Sequence, residues 1–397
     1  MSKSSKSARP KKSKKPYVDF PLTVRTDGRL SKKHRGKVYY FGTIDDWDAA
    51  LERYKREWPC ILQGRTPLPA DAGDGCTIQY LANSFLTSKK NKLGVGELSR
   101  PSFANYYDTC ERLVSQFGRE RRVDDLGPRD FETFRKQLAK KYGPVTLKNE
   151  INQCRIVLKY AHDQRLIDRE VHYGQSFDKP SAKELRRVRN EAGPRLYEAD
   201  EVRRILDAAD PVMRAMVLLG ANCGFGNTDV ANLPQSAVDL DNGWVNFPRP
   251  KTEIQRRIPL WPETVKAMRE AIAIRPKPAN PDDAGLCLLT GRGCRWVRTS
   301  ASRINEEKYV KYVTVNTLAR RFGLLLKNLE INGRRGLGFY TLRHVFETIA
   351  GESKDQVAVN AIMGHVDSSM AGVYRERISD ERLRAVVETV HGWLFSE

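Results

Sequence analysis

Arg343, His365 and Tyr374 stand close together in the stretch from Gly338 to Glu376, GFYTLRHVFETIAGESKDQVAVNAIMGHVDSSMAGVYRE. Their chemistries complement one another. A guanidinium can grip two oxygens of an oxyanion at once, and an imidazole can donate a proton near neutral pH. A phenol can act as a nucleophile once neighbouring cations favour its anion. Between Arg343 and His365, apolar residues from Val345 to Ala350 and from Val357 to Met363 predict two short helices packed together. Gly351 is placed to end the first, and Gly364 to turn the chain beside His365. Ser368 and Ser369 predict a further helix start, which would carry Tyr374 about two turns in.

The totals narrow the partner. A chain of 397 residues can bury two or three cores, and a net charge of +20 points to a polyanion. No apolar run is long enough to span a bilayer, so nucleic acid is favoured over a membrane. Seven scattered cysteines form no CxxC pair and read as reduced, mostly core residues, with no zinc site implied. A cytoplasmic, nucleoid-associated protein is expected.

The order Leu342-Arg343-His344, then Gly364-His365, then a tyrosine nine residues later resembles the catalytic domain of the tyrosine recombinases, the lambda-integrase-like family. The resemblance implies a metal-free, cofactor-free DNA recombinase of a mobile element. Tyr374 would attack the scissile phosphate, leaving a 3′-phosphotyrosyl link and a free 5′-hydroxyl. Arg343 would hold phosphate oxygens, His365 would donate to the phosphate, and Lys251 would protonate the leaving 5′-oxygen. His344 fits the pattern too, with a structural role in the core expected for it. Tyr340 stands where the family has His or Lys; its hydroxyl can still donate to phosphate. The larger departure is in the first box, roughly T-G-L-R-x-x-E in the family. Here it reads Cys223-Gly224-Phe225-Gly226-Asn227-Thr228-Asp229, with Gly226 at the arginine position and an acid kept at Asp229. Loss of one positioned charge from such a site costs on the order of 3 kcal/mol, about a hundredfold in rate. Phe225-Gly226-Asn227 reads as a turn built around the glycine. Arg214, Arg256 and Arg257 are candidates to fill the space.

The elements that must carry these residues predict a multidomain, mainly α chain. Residues 1–16, with seven Lys or Arg and no acid, form a disordered basic tail. Residues 17–58 read as short strands turning at Asp27-Gly28 and Arg35-Gly36, backed by one helix. This β3-α arrangement resembles the arm-binding or AP2-like DNA-binding modules ahead of many integrases. Arg25, Arg29, Lys32, Lys33, Arg35 and Lys37 are its expected DNA contacts. Residues 59–75 are a Pro/Gly/Asp-rich linker.

Residues 76–173 show four amphipathic helices resembling the SAM-like core-binding domain, with Lys89, Lys90, Lys148 and Arg155 as DNA contacts. Residues 174–194 read as an exposed basic connector, and 195–397 as the mixed α+β catalytic domain. In that domain strands are expected near Trp244–Phe247 and Arg256–Leu260, with Lys251 at their hairpin. Residues 310–330 are read as an amphipathic helix. The resemblance implies double-stranded DNA as partner and a homo-oligomer, a tetramer, on it. Two other readings stay open: a DNA-binding relative that has lost cleavage and acts as a regulator or structural partner, and a topoisomerase-like nicking enzyme.

Overall fold

The computed structural model describes residues 15–62, 75–303, 310–331, 334 and 336–396. Contacts divide the chain into two compact units, Met1–Ser181 and Ala182–Glu397. Most of the basic tail and most of the proposed linker lie outside the described residues.

The first unit begins with an antiparallel sheet of β1 (Thr23–Val24), β2 (Arg29–His34) and β3 (Lys37–Thr43), in that order. Arg35 and Gly36 both have positive φ, 44° and 83°, as a tight I′ hairpin turn requires for strands of right-handed twist. Helix α1 (Trp47–Leu62) covers one face of the sheet, and its aromatic stripe packs edge-on against Phe41, with ring centroids 5.3 Å apart for Tyr54 and 6.2 Å for Trp58. This helix runs through Pro59 to Leu62, so the expected linker starts four residues too early.

Four helices follow: α2 (Ile78–Gly94), α3 (Arg100–Phe117), α4 (Pro128–Lys141) and α5 (Pro144–Asp163). Thr77 and Ser99 cap the first two through their hydroxyls, and a proline opens each of the last two, where a missing N–H is harmless. Part of the expected connector belongs to this core. Phe177 is fully buried, stacked on Phe134 and Tyr173, because an aromatic side chain next to an apolar helix face buries readily whatever the charge around it.

The second unit opens with α6 (Ala182–Glu191), a helix with no buried residue, where the sequence suggested only a connector. Helices α7 (Ala199–Ala208) and α8 (Pro211–Cys223) come next, then the short α9 (Asn227–Asn232). Helix α8 is buried along almost all its length and forms the floor of the domain. A small antiparallel sheet, β4 (Val238–Asp239), β5 (Trp244–Asn246) and β6 (Arg257–Pro259), pairs Trp244 with Pro259 and Asn246 with Arg257. Helix α10 (Pro262–Ala273) packs on α8. Strands β7 (Val297–Arg303) and β8 (Val310–Asn316) then form a second hairpin. The helix expected over 310–330 therefore starts later, as α11 (Thr317–Asn328). The run Val313-Thr314-Val315 explains the difference, since consecutive β-branched residues favour a strand over helix.

The C-terminal elements are α12 (Thr341–Ala350), α13 (Gln356–Met363), α14 (Met370–Tyr374) and α15 (Asp380–Phe395). Leu342 of α12 presses onto α8 at Gly220, where an added Cβ would come within 2.9 Å of it. Helix α15 closes the core with Val386, Val387, Val390 and Leu394, and the carbonyl of Val387 accepts a hydrogen bond from the buried Trp261 indole. The architecture is multidomain and mainly α, with small sheets.

Candidate active site

Arg343 sits on the first turn of α12 with 3% of its surface exposed. Its Nη1 donates to the carbonyl of Gly224 and its Nη2 to that of Met363, both at 2.6 Å. These two carbonyls end α8 and α13. Gly224 and Gly364, the residues just past those helices, are both left-handed (φ 61° and 63°). One guanidinium thus ties three helix ends together and is fixed in direction. Burial lowers its pKa first, and the charge of Arg249 second.

His365 follows directly. Its Nε2 lies 3.3 Å from Arg343 Nη2, and its Nδ1 3.4 Å from Asn360 Oδ1. A guanidinium only donates, so Nε2 accepts and the proton sits on Nδ1, facing Asn360. Partial burial pushes this imidazole below the usual range, Glu347 pulls it up, and Arg343 and Arg249 push it down. The net effect favours the neutral ring. An arriving anion would act in the opposite sense.

The β5–β6 turn is bound to the same helix end. Arg249 Nη1 and Thr252 Oγ1 donate to the carbonyl of Gly364 at 3.3 and 3.0 Å. Lys251 lies between them, exposed at the tip of the turn. A side chain at Gly364 would collide with Arg249 Cβ at 2.9 Å and Arg256 Cδ at 3.0 Å, so glycine is needed there for space as well as for its φ.

Of the three arginines considered for the space beside Gly226, the structure brings one. Arg214 donates to Leu206 and Ala209 carbonyls at the end of α7. Arg257 makes a bidentate pair with Asp380 and lies over Trp244. Arg256 instead turns inward, 2% exposed, stacked 4.4 Å from the centroid of Phe225, with Nη2 2.9 Å from Asp229 Oδ1. The other Asp229 oxygen accepts the Gly226 N–H at 2.8 Å. Nη1 of Arg256 is buried with no partner.

Gly226 is not the glycine-dependent turn that its neighbours suggest. Its backbone is extended (φ −91°, ψ 178°), a conformation open to any residue, and it caps α9. Tyr340, half exposed, precedes α12 and lies against Gly226. His344 is not in the core. It is largely exposed on α12, edge-on to Tyr340 at 5.4 Å, because the buried stripe of this helix passes through Leu342, Val345 and Phe346.

Tyr374 is the last residue of the five-residue α14, closer to its start than the two turns expected, and 76% exposed. Ser369 caps α14, and Asp367 accepts from both Ser369 and Arg375. Cys223, at the floor of the site, is buried, and burial drives its thiol pKa far up, so it is inert. Among the described residues no group of His, Cys, Asp and Glu is arranged to hold a metal, and no helix is long and apolar enough to cross a membrane.

The proposed contacts of the first unit divide into two sets. Arg25, Arg29, Lys33, Arg35 and Lys37 are exposed, with Arg29 stacked on Tyr40 and paired with Asp27. Lys32 points instead to α1, donating to Tyr54 Oη at 2.9 Å. Lys90 and Lys148 are exposed, and Lys89 lies over Phe85 and Tyr106. Arg155 is partly buried, donating to the Phe177 carbonyl and pairing with Asp178.

A buried arginine, a histidine and a basic hairpin are thus brought together on an α-rich frame. Residues 195–380 match the phage integrase family, and the match together with the shared fold supports a tyrosine recombinase. The chain is similar to a lambda integrase dimer bound to a COC′ core site, at 13% identity and a TM-score of 0.55, covering 93% of this chain and 98% of that one. It is similar also to the Tn1549 transposon integrase in complex with transposon right end DNA, at 16% identity and a TM-score of 0.55, covering 80% and 100%. At these identities the likeness is one of fold. No curated protein matches the chain.

Sequence reading assigned nothing to Arg249 and Thr252, which donate to the Gly364 carbonyl, or to Asn360, whose Oδ1 faces His365. For the first two the signal lay in Gly364: a left-handed helix cap leaves carbonyls that some donor must meet.

Proposed function

We propose that the chain is a DNA-binding integrase that cleaves and rejoins DNA through a phosphotyrosyl intermediate at Tyr374. The observation that carries this reading is the charge balance of the site. Arg343, Arg256 and Arg249 converge there around a single buried acid, Asp229. Like charges held this close repel, and burial adds to their cost, so the fold keeps an excess of positive charge that an anion relieves. A phosphodiester between Arg343 and His365 meets that need. Its charge would also raise the affinity of His365 for a second proton, converting Nε2 from acceptor to donor as the phosphorane forms. Lys251, at the tip of a turn that Arg249 and Thr252 anchor, is the group to protonate the leaving 5′-oxygen. Tyr340 is a further hydroxyl donor to the phosphate.

In the same reading 17–58 is an arm-type DNA-binding module, 76–173 a core-binding domain, 174–194 a connector and 195–397 the catalytic domain, working as an oligomer, a tetramer, on double-stranded DNA. The relatives solved with DNA, a lambda integrase tetramer on a Holliday junction among them, support the choice of partner. The basic face of Arg25, Arg29, Lys33 and Arg35 is suited to phosphate contacts. A second reading, a DNA-binding relative without cleavage, is favoured by the missing side chain at Gly226.

The two are separated by trapping the full-length protein on supercoiled plasmid with denaturant in the presence of EDTA. A covalent protein–DNA adduct is expected, and its absence on any DNA tested would favour the second reading. For the N-terminal region, removing residues 1–75 is expected to lower affinity for long DNA and flatten the fall of log K with log salt, because fewer counterions are released. An unchanged slope would remove this region from the DNA interface.

A further inference from the structure

Positions 226 and 340 share one space. A Cβ built on Gly226 comes 3.0 Å from Cε2 and 3.1 Å from Cδ2 of Tyr340, and 3.4 Å from Asp229 Oδ2. Nothing in the backbone asks for glycine at 226, since its φ of −91° suits any residue. The ring of Tyr340 is what asks for it. The acid at 229 has a partner of its own, the buried guanidinium of Arg256 arriving from the edge of the sheet at 2.9 Å. That guanidinium is pinned between Phe225 and Phe247 and donates to the Phe247 carbonyl.

We infer that Gly226, Tyr340 and Arg256 form one rebuilt corner of the site, in which the ring of Tyr340 takes the room of a side chain at 226 and presents its hydroxyl to the bound oxyanion, while Arg256 neutralises Asp229. This rests on the oxyanion site proposed above. Two departures from the family's pattern are then one change. A glycine without the tyrosine would leave this space open, and a side chain at 226 would force the ring of Tyr340 to shift. Tyr340 contacts the oxyanion, whereas Gly226 and Arg256 are positioning residues, the first through volume and the second through charge.

The pairing predicts a reversal of sign between backgrounds. With Tyr340 present, Gly226→Arg must expel the ring and is expected to weaken binding of orthovanadate, used as an oxyanion probe on the full chain, about tenfold. With Tyr340→Ala, the new guanidinium has room, and Gly226→Arg is expected to strengthen vanadate binding relative to Tyr340→Ala alone. Tyr340→Phe keeps the ring and removes one hydrogen bond to a charged partner, so a loss of about tenfold or more is expected with the unfolding temperature unchanged. Tighter vanadate binding by Gly226→Arg with Tyr340 in place, or no effect of Tyr340→Phe, would overturn the pairing. If Gly226→Arg does not fold, Tyr340→Phe decides alone. Adduct formation is read in parallel: vanadate binding that depends on Tyr340, with no adduct from the unaltered protein, would refute cleavage and leave the pairing standing.

Discussion

Tyr374→Phe is expected to abolish the covalent protein–DNA adduct while leaving DNA affinity within about twofold. The substitution removes one oxygen from a side chain that is 76% exposed, so neither core packing nor the site's cations change. Loss of a nucleophile is not graded. Without the attacking oxygen no phosphotyrosyl bond forms, and the effect is expected to exceed a thousandfold, comparable to deletion of a catalytic nucleophile elsewhere. Affinity is expected to hold because it comes from many phosphate contacts, with Arg343 and the basic faces intact. Gel separation of denatured complexes gives the adduct, and filter binding gives the affinity. An adduct that survives in Tyr374→Phe moves the nucleophile elsewhere, with Tyr340 the first alternative.

The second large effect is on stability. Arg256→Ala leaves Asp229 as a buried carboxylate with only the Gly226 N–H for company. Breaking a buried ion pair from one side costs about 3–5 kcal/mol, more than the pair contributes over two apolar residues, because the remaining charge stays desolvated. For a unit of this size that corresponds to a fall of roughly 6 to 20 °C in unfolding temperature. Lost stacking on Phe225 and Phe247 adds to the same side. Arg256→Met with Asp229→Leu removes both charges and keeps the volume, and is expected to recover most of the loss. Arg257→Ala is the control. Its pair with Asp380 is nearly half exposed on both sides and screened by water, so its loss is expected to change stability little. Scanning calorimetry of the three variants measures all of this; equal effects of Arg256→Ala and Arg257→Ala would contradict the buried-pair account.

The short helices on either side of Gly351 are legible in the sequence. Arg343, Gly364 and His365 are spaced by two short apolar helices, and such local connections fold as their pattern reads. The turn at Arg35-Gly36 and the four capped helices after Cys76 were legible for the same reason: Pro and Gly signals at helix starts and turns act locally. What was hidden depends on contacts distant in sequence. Nothing in Gly226 or Tyr340 alone says that the two touch across 114 positions, and the glycine was read as a turn. Arg256 and Arg257 are adjacent, yet strand alternation sends one into the core and the other to the surface. Charge alone does not show direction: the intramolecular partners of Arg155 and Lys32, Asp178 and Tyr54, lie 23 and 22 residues away. His344 shows the converse, since its place in a matching motif said nothing about the helix face it occupies.

The central claim is that Tyr374 forms the bond to DNA, and locating the bond tests it most directly. The full-length protein is trapped on supercoiled plasmid in EDTA, the DNA is digested to a nucleotide remnant, and the adducted peptide is sequenced by mass spectrometry. A 3′-phosphotyrosyl remnant on Tyr374, with a free 5′-hydroxyl at the break, is the predicted result. A remnant on any other residue, or a 3′-hydroxyl at the break, would contradict it.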